Sequence, residues 1–69
     1  MEPDEALDLA EEILTDLDDL PERAEDFKES VLEKVTGMKD WIEEHQAVTE
    51  KMATALQNIR AGVDKWLHR

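Results

Sequence analysis

Apolar residues recur along most of this chain at steps of three and four, which is the period of an α-helix. The first such segment is predicted to run from about residue 4 to 19. Ala6, Leu7, Ala10, Ile13, Leu14, Leu17 and Leu20 form its stripe, and Leu9 widens it. Asp4, Asp8, Glu11, Glu12, Thr15, Asp16 and Asp19 fall on the opposite face. Pro3 suits the first turn of a helix, and the carboxylate of Asp4 suits its free amides.

Pro21 is predicted to separate this helix from a second one, at about 21–44. Asp19-Leu20-Pro21-Glu22 has the spacing of a capping box. Asp16, Asp18 and Asp19 are unfavourable at the negative end of the first helix and favourable at the positive start of the second. The second stripe is Ala24, Phe27, Val31, Val35, Met38 and Ile42, flanked by Leu32 and Trp41. Gly37 interrupts it at a cost of about 1 kcal/mol against Ala, so it is either tolerated or marks the approach of another helix.

A third helix is predicted at about 50–67, on Met52, Leu56, Ile59, Val63 and Trp66, with Gly62 leaving room beside them. Thr49 is its natural N-cap, and Val48 precedes it as a staple residue. The pattern therefore predicts an all-α single domain: a short first helix followed by a helical hairpin. It leaves one alternative open. The steps of four and three continue from Ala24 through Lys28, Val31, Val35, Met38, Ile42, His45, Thr49, Met52, Leu56, Ile59 and Val63 to Trp66. One continuous helix from about 21 to 67, joined in an oligomeric coiled coil, would satisfy that spacing. Against it, Lys28, His45 and Thr49 would be polar core positions.

Composition narrows the class. The chain has 69 residues, enough for one domain. It has no cysteine, which excludes a disulfide framework and thiolate chemistry and fits a cytoplasmic location. Its longest apolar runs are pairs such as Ile13-Leu14, so neither a membrane span nor a secretory signal is expected. A chain this short has little stability to spare, and either homo-oligomerisation or a stable complex with another protein is expected to supplement it.

Charge changes the picture most. The formal net charge is −11. The first twenty residues hold nine acids and no bases, whereas residues 21–69 hold ten acids and eight bases. Direct binding of nucleic acid or an anionic membrane is disfavoured, because both require Lys and Arg against phosphates. A basic protein surface is the complement. The nine acids from Glu2 to Asp19 span 17 residue steps, or about 26 Å of helix, one charge per about 3 Å. A DNA strand carries one phosphate per roughly 3.4 Å. An acidic helix of that density matches the charge of a nucleic-acid strand and would suit a basic groove. A solvated face that confers solubility, or adaptation to high salt, would leave the same acids; the near balance after residue 20 speaks against the latter.

Candidate chemistry is sparse. His45 and His68 are far apart in sequence, and Asp64 with His68 gives only two ligands on one helix face, where structural zinc takes four. The two glycines are isolated within helical patterns rather than set in a phosphate-binding loop. Ser30, Thr36 and Thr49 have no neighbouring base at helical spacing to make a nucleophile. No catalytic residue, cofactor or metal is expected, and the chain is read as non-enzymatic. Trp41 and Trp66 fit beside apolar stripes as core residues and are also candidate interface anchors.

WIEEHQAVTEKMATALQNIRAGVDKWL, from Trp41 to Leu67, resembles a helical segment of small bacterial and phage proteins. In those, a helix ends near Trp-Ile-Glu, and a turn leads to a Val-Thr-Glu-Lys-Gln helix start. This chain departs at Met52, where that pattern has Gln, and at Gln46, where it often has Gly. The resemblance implies a break near His45 and no activity. A phage setting would favour an inhibitor of host defence. The function expected from the residues is capture of a basic protein by Asp4, Asp8, Glu11, Glu12, Asp16, Asp18 and Asp19, with occupation of a nucleic-acid enzyme's groove as its specific form. The rivals are an antitoxin-like neutraliser of a basic toxin and a structural helical homo-oligomer.

Overall fold

The computed structural model describes residues 1–68, which form three α-helices and one short 3-10 turn. Helix α1 is Pro3–Leu17, the turn is Glu22–Ala24, α2 is Glu25–His45 and α3 is Glu50–Leu67. At 21 residues α2 is about 32 Å long, close to the 35 Å long axis of the molecule.

The hairpin of α2 and α3 is not a self-sufficient pair. Helix α1 packs against both, whereas α2 and α3 touch each other far less. Ala6, Ala10, Ile13 and Leu17 of α1 are fully buried, at steps of four, three and four. The two alanines allow the α1 backbone to come close. Ile13 and Leu17 fill the space against Val31, Val35 and Ile42 of α2 and Leu56 and Val63 of α3, all in one core. Among the described residues, the acidic helix therefore supplies four of the ten that are buried in the core, as well as part of the surface.

The continuous coiled-coil helix is overturned at residues 46–49. Gln46 ends α2 in the left-handed region, at φ 52°, with its N–H donating to the Ile42 carbonyl at 2.7 Å. Its side-chain Nε2 donates to the Glu43 carbonyl at 2.8 Å. Thr49 then accepts from the Met52 N–H at 3.1 Å, the side-chain cap its position predicts. The heptad positions Val31, Val35, Ile42, Leu56 and Val63 are consumed inside one chain, so they present no seam to another.

Other local expectations are corrected. Helix α1 ends at Leu17, two residues early, and its N-cap is Glu2 rather than Asp4, with no side-chain cap bond. The capping box at Asp19–Glu22 does not form. Pro21 precedes the 3-10 turn, its carbonyl accepting from the Ala24 N–H at 2.9 Å, and α2 begins only at Glu25. Proline lacks an N–H and fixes φ, which favours this tight entry over an immediate α-turn. Gly37 marks no helix approach, because a Cβ there would meet nothing within 4 Å. Gly62 does mark a close contact: a Cβ would lie 3.2 Å from Phe27 Cζ.

Candidate functional site

The polar face of α1 follows from its own periodicity. With Ala6, Ala10, Ile13 and Leu17 turned inward, Asp4, Asp8, Glu11 and Glu12 are exposed, and Asp16 is half-buried. Asp18 and Asp19 are exposed in the turn beyond Leu17. All seven acids thus lie on the surface, but the structure divides them.

Three face bases of the hairpin. Lys28 Nζ is 3.9 Å from Asp18 Oδ1, and Lys39 Nζ is 3.8 Å from Glu11 Oε1. Arg60 Nη1 pairs closely with Glu12 Oε2, and its Nε is 3.9 Å from Asp64 Oδ2. The Glu12 hydrogen bond holds the Arg60 guanidinium above its ordinary pKa; partial desolvation opposes this, and the charges of Glu12, Asp64 and Asp16 reinforce it. Asp16 is thus near enough to Arg60 to be felt without forming a pair. Asp4, Asp8 and Asp19 make no ion pair among the described residues. The Asp18 and Glu11 side chains are 82% and 65% exposed, so their pairs are worth roughly 0–1 kcal/mol each and can open to a partner.

Lys28, Lys39 and Arg60 are the residues that sequence reasoning missed. Lys28 appears in the heptad count only as a flawed core position, and its actual role is to reach sideways to Asp18. The available signal is position: each base borders an apolar stripe, and the helix it would meet carries acids and no bases.

The pairing redistributes charge over the molecule. Three of the eight bases turn toward the first segment, leaving five to offset ten acids on the rest of the chain, a balance of −5. The first twenty residues keep six uncompensated acids of nine, or −6. The first twenty residues remain the more acidic part, but the rest of the chain, −2 in sequence, now also carries a clear negative excess, concentrated on α2.

The aromatic residues hold the ends of the hairpin. Trp41 and Trp66 are both half-buried. Trp41 stacks on His45 at 4.2 Å between ring centroids, and His45 Nδ1 lies 3.0 Å from the Trp41 carbonyl. A carbonyl only accepts, so Nδ1 carries the proton. Trp66 packs against Phe27 at 6.3 Å, with the Arg23 guanidinium 5.6 Å above its ring. These contacts tie the last turn of α3 to the start of α2.

Among the described residues no polar or charged side chain is buried, and no three His, Cys, Asp or Glu side chains are grouped to hold a metal ion. None of the described helices is long and apolar enough to cross a membrane. Comparison of the chain with protein-family models, with curated proteins and with solved structures returns no match.

Proposed function

We propose that this protein is a non-enzymatic binding module that captures a protein with a basic surface. The observation that carries this reading is the shortfall of bases around the first segment: six of its nine acids have no ion-pair partner among the described residues. Fold stability does not call for that excess, since like charges on a compact chain repel. Electrostatic steering by such a surface speeds encounter and makes binding sensitive to salt.

Occupation of a nucleic-acid groove is the more specific form of this reading, including an inhibitor of a defence nuclease. Five of the uncompensated acids, from Glu2 to Asp16, lie along 14 residue steps of α1, or about 21 Å, one per about 4 Å, against roughly 3.4 Å per phosphate on a DNA strand. Opening the two exposed lysine pairs on contact would free eight of the nine acids at little cost, with Glu12 still held by Arg60.

Affinity capture from the native host, at about 50 and 200 mM salt, tests the proposal. The ratio of bound partner should fall steeply with salt, by an order of magnitude or more. A partner retained equally at both concentrations would show that charge does not drive recognition.

A further inference from the structure

A shallow groove of about 380 Å³ opens where the chain passes from α1 into α2. Leu20, Pro21 and Leu32 form its apolar floor, and Glu22, Glu25, Glu29 and Lys28 form its rim. Leu32 is the notable member. It is 45% exposed, and the only other described large hydrophobic residue so exposed is Met1, at the start of the chain. Val31 beside it is buried, only 4% exposed, so the turn of the helix, not poor packing, places Leu32 outside the core. An exposed leucine set in a concave surface, rather than on a convex one, has the shape to receive another side chain.

The charges on the rim select the occupant. Three glutamates face one lysine, and that lysine already lies 3.9 Å from Asp18. A second copy of this chain would bring the same acidic rim against its own, and phosphates of nucleic acid or lipid would meet like charge. Glu25, Glu29 and Leu32 are spaced four and three apart and share one face of α2, rising about 10 Å in all. A helix laid along that face would complement it with one apolar anchor and with Lys or Arg about one turn away.

We infer that this groove docks a basic amphipathic helix of a protein partner, its apolar side chain seated on Leu20, Pro21 and Leu32 and its bases on Glu22, Glu25 and Glu29. The inference rests on the basic-partner reading above and moves the specific contact from the outer row of α1 to the α1–α2 corner. Charge brings the partner close; Leu32 fixes where it sits.

The test uses the full-length protein, isotopically labelled, and two four-turn peptides of leucine and lysine with identical composition. One peptide segregates its leucines on a single helical face, and the other has them shuffled. The segregated peptide should bind at least about fivefold more tightly at about 0.15 M salt, with the largest amide shifts at Leu20, Glu25, Glu29 and Leu32. Leu32→Gln should abolish that advantage while leaving the helical circular dichroism unchanged, since Gln is a good helix former and the site is exposed. Glu25→Gln with Glu29→Gln should weaken both peptides. Equal binding of the two peptides, or an advantage that survives Leu32→Gln, would overturn the groove. If Asp4→Asn, Asp8→Asn and Asp19→Asn together abolish binding while Leu32→Gln does not, the groove falls and the α1 row stands. If Leu32→Gln removes the advantage and the α1 variant binds as before, the groove stands and the α1 row falls. Loss of all binding to both peptides would sink both readings.

Discussion

Gly37 and Gly62 are the same residue type in similar helical settings, and the structure separates their consequences. An alanine at 37 adds a Cβ into open space, so Gly37→Ala should stabilise the protein by about 0.5–1 kcal/mol through backbone entropy. At 62 the added Cβ presses Phe27 Cζ at 3.2 Å, and Phe27 in turn packs on Trp66. Gly62→Ala should therefore fail to give that gain. Chemical denaturation of the two variants side by side checks both statements. Thr49→Ala removes the one side-chain cap of α3 and should cost about 1 kcal/mol in the same assay. Thr49 was legible in sequence, because a cap needs only its own hydroxyl and the next few amides. The left-handed Gln46 was signalled only by the Gly that the resembling segments often have there, since nothing in Gln itself calls for a positive φ.

At the scale of elements, α1 holds the interior together. Ile13 is fully buried where all three helices meet, and Ile13→Ala should cost about 2–5 kcal/mol. The loss should appear as one cooperative transition of all three helices, not as fraying of α1 alone, because α2 and α3 have few contacts with each other. Thermal unfolding followed by far-ultraviolet circular dichroism and by tryptophan emission should show the two signals moving together. The helix count, the stripes and the break before Glu50 were readable from the period of apolar residues. Which stripe meets which was not readable, since Ala24, Val31, Val35, Ile42, Leu56 and Val63 satisfy both a hairpin and a heptad seam. Chain geometry at residues 46–49 decides between them. The start of α2 was misplaced because Pro21 reads as a first-turn residue whether a 3-10 turn or an α-turn follows.

For the whole molecule, the decisive property is how the bases are spent. The sequence suggested one acidic helix on a nearly neutral hairpin. Lys28, Lys39 and Arg60 instead face α1, so α2 is left with seven acids to one base while α3 stays balanced, with two of each. Adding salt should consequently raise the melting temperature of the isolated protein, because screening relieves more repulsion than it weakens attraction. The same salt should weaken partner binding, an opposite sign that distinguishes a recognition surface from a stabilising one. Asp4, Asp8 and Asp19 are the acids on which the two roles separate most cleanly. None has an ion-pair partner among the described residues, and Asp4 alone has a local task, at the positive first turn of α1, worth about 0.3–1 kcal/mol. The most direct measurement is therefore the association rate of the captured partner with the wild type and with the triple variant Asp4→Asn, Asp8→Asn, Asp19→Asn, at about 0.15 M salt. The account predicts a rate lower by about tenfold or more with the fold intact; an unchanged rate would contradict it.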